Sequence, residues 1–345
     1  MNNAVVNSSS LKALDRRFCV APMLDCTDRH ARFFLRQISH HAVMYTEMVT
    51  TGALIHGDRA RFLDFSPAEH PIALQLGGSD SKAMAQCAEF AQEWGYDEVN
   101  INVGCPSDRV QSGSFGACLM QEPGLVAENV HAMSAVVDIP VTVKARIGVD
   151  DQEPRDALWR LTEAVANAGC QVLLVHARKA WLKGLSPKEN RDIPPLDYEL
   201  VYQLKRDFPE LEVIINGGIK TLAESQQHLN QVDGVMVGRE AYSNPYILAG
   251  VDSQLYADQR MVLSREQVLQ KYLDYCAEQL QQGTRLNHLS RHVVGLFHGE
   301  PNSRLWRQHI SENAHKKGVG LEVLQQAFEK QQEANQYQEA ELTKT

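Results

Sequence analysis

Eight short apolar segments, each followed by a turn and a stretch of helical character, constrain this chain more than any other feature. They are Phe18–Ala21, Val43–Thr46, Ile72–Leu76, Val99–Val103, Val141–Ala145, Val172–His176, Val213–Asn216 and Gly234–Val237. Several are continuous apolar runs, the pattern of parallel strands buried on both faces. Helix signals lie between them. Ser79 and Asp80 read as caps with Gly95 as a stop, and Asp156 to Ala168 is closed by Gly169. Eight β-α units in about 235 residues match a (β/α)8 TIM barrel, whereas a doubly wound sheet usually stops at five or six strands.

Punctuation changes near residue 250. Twelve of the thirteen prolines lie at or before Pro245, and seventeen of the twenty-two glycines at or before Gly250. Beyond that point apolar residues fall at helical spacing: Val268, Tyr272, Cys276 and Leu280, then Leu289, Val293 and Leu296, then Leu321, Leu324 and Phe328. The expected organisation is therefore an N-terminal extension (1–17), a barrel (18–250), a small helical bundle (251–330) and a Gln/Glu-rich flexible tail (331–345).

With 43% apolar and 22% charged residues, the composition excludes a disordered chain. No apolar run approaches the roughly 18 residues of a membrane helix. Met1 to Ser10 is polar and lacks the apolar core of a secretory signal. Seven cysteines without a C-x-x-C pair argue against a disulfide framework and a zinc ribbon. A reduced, cytoplasmic, monomeric protein without metal is expected.

In such a barrel, chemistry sits at the C-terminal ends of the strands. Read in order, those ends carry Pro22-Met23, Glu47, Gln75, Asn102 to Cys105, Lys144 and Arg146, His176, Asn216-Gly217-Gly218 and Gly238-Arg239. The last two loops suggest a phosphate site, because glycines there let backbone N–H groups approach the oxygens. No G-x-G-x-x-G or Walker A sequence occurs, which disfavours a dinucleotide or triphosphate site. Lys144 reads either as a snorkelling edge lysine or as a cation for an anionic ring system. His176 reads equally as a hydrogen-bonded core histidine or a ligand contact, and Gln75 as a core amide or a reader of a flat heterocycle.

Cys105 is the most informative single residue. It lies between Gly104 and Pro106, off the strand end, where packing demands on a cysteine are weak. A thiol of ordinary acidity, with a pKa of about 8.5, is protonated at neutral pH and can act as an acid. Behind it, the Ser/Gly-rich run Gln111 to Gly116 reads as a mobile lid.

Asn102-Val103-Gly104-Cys105-Pro106-Ser107, followed by Gly113, Gly116 and Leu119-Met120, closely resembles the signature of tRNA-dihydrouridine synthases. Ala21-Pro22-Met23, Gln75-Leu76, Lys144, His176, Asn216-Gly217-Gly218 and Gly238-Arg239 fit the same pattern in order, so the resemblance runs from Phe18 to Phe328. It implies an FMN-containing barrel whose helical domain helps to grip the tRNA D-loop. NADPH reduces the flavin, hydride passes to C6 of a uracil, and a cysteine protonates C5. Carried over, Cys105 is the proton donor. Pro22, Met23, Gln75, Lys144, His176, Asn216, Gly217, Gly218, Gly238 and Arg239 bind FMN, and Asn102 helps to hold the uridine. The segment Arg178 to Arg191 resembles the A-type bacterial subfamily, which reduces positions 20 and 20a.

The net charge of −9 alone disfavours a nucleic-acid partner, but the charge is uneven. Arg178, Lys179, Lys183, Lys188 and Arg191 face one acid, Glu189; a second basic stretch, Gly283 to Lys317, includes Arg304 and Arg307. Trp181 and Trp306 lie within these patches and are candidates for stacking on bases. A flavin barrel acting on a small molecule such as a dihydropyrimidine has no need of the basic bundle. An RNA chaperone leaves Cys105, Lys144 and the glycine loops unexplained.

Overall fold

The computed structural model describes residues 14–107 and 113–342. Its eight strands are β1 (Phe18–Val20), β2 (Val43–Thr50), β3 (Ile72–Gly77), β4 (Glu98–Val103), β5 (Val141–Arg146), β6 (Val172–His176), β7 (Glu212–Asn216) and β8 (Gly234–Val237). They pair in sequence order, all parallel, and β8 closes onto β1. The TIM barrel expected from the apolar segments is thus present. β2 runs four residues past its expected end; an irregularity between Tyr45 and Met48 breaks the apolar pattern while pairing with β3 continues.

The helices obey their local signals. Asp80 caps Ser81–Trp94 by accepting from the Ala83 N–H, and Gly95 ends it in the left-handed conformation. Thr221 and Glu224 form a capping box at the start of Leu222–Leu229.

The barrel interior has two chemically different sides. Cys19, Ala21, Val43, Tyr45, Ala73, Val172, Leu174, Ile214 and Met236 form an apolar cluster. Against it, β3, β4 and β5 place Gln75, Glu98, Asn100, Asn102 and Thr142, all of them buried. Below them Arg16, also buried, pairs with Glu98 at 2.7 Å and Glu212 at 2.9 Å, which ties the segment before β1 to the barrel.

After β8, helices Arg265–Gln281, Ser303–Asn313 and Glu322–Leu342 pack with the short helix Leu286–Ser290. They join the barrel through Arg29–Arg36: Tyr275 stacks on Phe33 at 3.9 Å, and Tyr272 meets Phe34 edge-on at 5.2 Å. The tail expected from 331 is helical through Leu342, which corrects the boundary at 330. Glutamine, glutamate and alanine favour helix, and buried Gln331 anchors the segment by donating to the Pro301 carbonyl at 2.9 Å. No helix among the described residues is long and apolar enough to cross a membrane.

Candidate active site

The strand ends assemble a continuous polar rim. Pairing register sets Asn102 beside Lys144, Arg146 beside His176, and His176 beside Asn216. Asn102 donates to the Gln75 side-chain oxygen at 2.8 Å, and Lys144 Nζ donates to Asn216 Oδ1 at 3.2 Å. Asn216 in turn donates to the Met236 carbonyl at 2.7 Å on β8. Gly238 follows β8 and faces Ala21 and Met23, which closes the rim at the loop after β1.

Cys105 is held by its neighbours' polar groups. Asn102 Oδ1 accepts the backbone N–H of Gly104 at 3.1 Å and of Cys105 at 3.0 Å, so the asparagine that ends β4 shapes the loop after it. Arg146 braces the other side, donating to Gly104 O at 3.1 Å and to Asn190 O at 2.8 Å. The Cys105 thiol is half-buried and donates weakly to Ser107 Oγ at 3.5 Å. Of the run expected to act as a lid, Gln111 and Ser112 lie outside the described residues.

Electrostatics separate the two central bases. Burial, with Arg146 beside it, pushes the Lys144 ammonium down to about 7. His176 is held well below its ordinary value by burial and by the cations Arg146 and Lys144, so it is a neutral imidazole at physiological pH. Arg146, lowered by burial to about 10, stays charged. An anion at the mouth would find fixed positive charge already in place.

The loop after β7 turns tightly on two glycines. Gly217 and Gly218 have φ of +119° and +75°. A Cβ on Gly217 would sit 2.7 Å from the His176 ring, and one on Gly218 2.6 Å from Leu196. Tyr198 fixes the turn by donating to the Gly217 carbonyl at 2.7 Å. The Arg178 side chain turns onto the Pro194 carbonyl, and its Nε is buried without a hydrogen-bond partner among the described residues. Arg239, exposed, pairs with Asp192 at 2.7 Å.

The basic residues divide. Lys183, Lys188, Arg191, Arg304 and Arg307 are exposed, with Arg304 and Arg307 on one helix. Trp306 does not join them, which corrects the stacking role expected of it. It is fully buried against Phe297 and donates to the Val293 carbonyl at 3.2 Å, because its helix uses the indole as a core anchor. Trp181 remains partly exposed, with Lys179 5.5 Å above its ring. A cavity of about 670 Å³ opens where the loops after β1 and β2 face the bundle, and Arg29, Arg61, Arg285 and His288 contribute to its lining.

Sequence reading missed Arg29, Arg61, Asn100, Glu98 and Asn190. The two arginines lie in helical stretches of mixed charge, Arg29 beside Asp28 and Arg61 close to Asp58, so neither stands out as a basic patch. Asn100 and Glu98 carried a legible signal, polar residues at alternate positions in an otherwise apolar strand.

The dihydrouridine synthase family model matches residues 19–333. A Shewanella oneidensis protein, tRNA-dihydrouridine(20/20a) synthase, is 59% identical over 323 residues, covering 94% of this chain and 96% of that protein. One of the same name from Escherichia coli is 58% identical over 313 residues, covering 90% of each. Among solved structures, morphinone reductase aligns over 70% of this chain and 87% of its own with a TM-score of 0.51 at 16% identity, a likeness of fold. Since the family model spans the barrel and most of the bundle together, including the cysteine loop and both glycine turns, the chain belongs to the dihydrouridine synthase family.

Proposed function

We propose that this chain is a flavin-dependent tRNA-dihydrouridine synthase, acting on D-loop uridines at positions 20 and 20a with FMN as cofactor and NADPH as reductant. One observation carries the reading: the Cys105 loop, pinned by Asn102 at the end of β4, shares a rim with the Lys144 ammonium and the tight glycine turn after β7. The names of the relatives support the substrate and its positions.

The residues present fit a flavin mononucleotide. Gly217 and Gly218 form a tight left-handed turn at the end of β7 that only glycine fits, the Arg178 Nε is buried and orphaned, and Gly238 and Arg239 add a backbone N–H and a cation. Lys144 would hold the anionic side of the ring system, with Gln75, Asn216 and neutral His176 around it, and Pro22 and Met23 from the loop after β1. When bound and reduced by NADPH, the flavin supplies a hydride to C6 of the uracil.

The chain's own residues do the rest. Asn102 orients the base, and the Cys105 thiol delivers a proton to C5. The exposed basic residues Lys183, Lys188, Arg191, Arg304 and Arg307, with Arg178 behind them, attract the tRNA backbone. In this reading the RNA strand passes beside the mouth along the cavity where Arg29, Arg61 and Arg285 stand among Asp28, Glu47 and Asp64. An absorption spectrum of purified protein tests the cofactor, and mass mapping of tRNA from cells lacking the protein tests the substrate. Colourless protein, or unchanged dihydrouridine at 20 and 20a, would overturn the respective part.

A further inference from the structure

A line of buried side chains crosses the barrel interior from the mouth to the far end. Cys105 N–H donates to Asn102 Oδ1 at 3.0 Å, Asn102 Nδ2 to Gln75 Oε1 at 2.8 Å, and Gln75 Nε2 to Asn100 Oδ1 at 2.8 Å. Asn100 Nδ2 then donates to Thr142 Oγ1 at 2.8 Å, and the Thr142 hydroxyl to Glu98 Oε1 at 2.6 Å. Glu98 Oε2 receives Arg16 at 2.7 Å. From Cys105 to Thr142, every donor in the line points away from the mouth.

The two ends dictate that polarity. A backbone N–H only donates, and an arginine-paired carboxylate only accepts. Because Glu98 takes the Thr142 proton, the hydroxyl turns a lone pair to Asn100, which must answer with its NH2. Asn100 therefore shows its oxygen to Gln75, Gln75 shows its own to Asn102, and Asn102 is left with its oxygen toward the Cys105 loop. Reversing any one amide would set donor against donor somewhere in the line.

Such an interior is not what barrel stability asks for. Branched apolar residues normally fill these layers, and apolar replacements of buried polar groups are often neutral or stabilising. We infer that Glu98 and Thr142 are positioning residues, which act through Asn100 and Gln75 to fix the Asn102 amide and hold the Cys105 thiol in place for proton delivery. The inference rests on the dihydrouridine synthase reading for what the thiol does, and on geometry alone for what holds it.

The test compares Thr142→Val, which removes the hydroxyl at equal size, with Thr142→Ser, which restores it. Tyr45→Phe is the control, because Tyr45 also donates to Glu98 Oε1 at 2.6 Å but lies off the line. Backbone hydrogen exchange at Gly104 and Cys105 is read in flavin-loaded and flavin-free protein. NADPH-driven flavin bleaching and turnover of uridine in tRNA from cells lacking the enzyme are measured separately. In Thr142→Val the two amides exchange about tenfold faster, the loss of one hydrogen bond's worth of protection. Uridine turnover falls about a hundredfold while bleaching is unchanged, as expected for a misplaced reacting group. Thr142→Ser restores both, and Tyr45→Phe moves neither.

Wild-type exchange in Thr142→Val, or equal effects from Tyr45→Phe, would overturn the inference and leave the line as packing. Should Thr142→Val purify poorly, Thr142→Cys takes its place as a weaker hydrogen-bonding group. Its two amides must then exchange faster than those of Thr142→Ser while flavin bleaching stays intact; exchange as slow as in Thr142→Ser overturns the inference. If wild-type protein forms no dihydrouridine, the substrate reading fails by itself, and the exchange comparison still decides what holds the loop.

Discussion

Two residues at the rim carry opposite burdens, and each has a separable signature. In the proposed reaction Cys105 acts late, on the uracil, so Cys105→Ala should still allow NADPH to bleach the flavin while uridine reduction falls by a factor of about 10²–10⁴, the usual worth of a general acid. Parallel loss of bleaching would place the thiol in the cofactor site instead. In the same proposal Lys144 acts early, on the cofactor, and burial lowers its folded value to about 7, below the ordinary 10.5. Between those values the unfolded chain binds the proton and the folded one does not, so flavin-free protein gains stability from this group as pH rises from 7 to 10.5. Below 7 the buried charge costs in full. Denaturant titrations should show this slope vanish in Lys144→Met, with a gain of about 1–3 kcal/mol near pH 6 and much weaker flavin binding. A persistent slope in the variant would assign the titration to another group. Residue types at strand ends were enough to single out Cys105, Lys144 and His176 from sequence. The protonation states of Lys144 and His176 were not legible, since these depend first on burial and then on Arg146, which reaches His176 through strand pairing.

At the scale of elements, the eight strands were legible because burial on both faces writes them as apolar runs, and helix ends because caps are local chemistry. What escaped was long-range: the extension of β2 past Thr46, the helix that continues to Leu342, and the inward use of Trp306. A tryptophan flanked by arginines looks exposed until a neighbouring segment, here Val293 to Phe297, covers it. The glycine turn after β7 was read as a phosphate loop, and its geometry supplies a sharper test. Gly218→Ala meets both a left-handed backbone and the atoms of Leu196 and Tyr198, so the turn must shift. Strain of about 1–3 kcal/mol should weaken flavin retention roughly tenfold to a hundredfold, read as absorbance remaining after dialysis. Gly124→Ala, in the helix Pro123–Ser134 with nothing within 4 Å of the added methyl, should retain the flavin and be slightly more stable. Full flavin retention in Gly218→Ala would move the phosphate elsewhere.

For the whole molecule the question is how an acidic chain holds an RNA. The barrel and bundle share one apolar core, and Asp28, after β1, is clamped by Arg291 and, at 3.0 Å, by His292. The mouth and the bundle's basic face are therefore held in a defined relation. Two groups of cations flank that junction: the cavity set of Arg29, Arg61 and Arg285, and the outer pair Arg304 and Arg307. With Trp306 buried, the outer pair has no aromatic partner on its helix, and its contribution to RNA binding must be electrostatic. Removing one phosphate-binding cation should lower the slope of log affinity against log salt by about 0.7–0.9. Arg304→Ala with Arg307→Ala should therefore keep flavin content and NADPH bleaching, bind tRNA more weakly, and lower the slope by roughly 1.4–1.8 units. Residual product should remain at positions 20 and 20a, because contacts near Cys105 select the uridine while distant cations only orient the tRNA. Arg285→Ala reports on the cavity in the same assay. If the double variant binds with wild-type affinity and slope while Arg285→Ala does not, the RNA runs through the cavity and the outer helix face lies outside the interface.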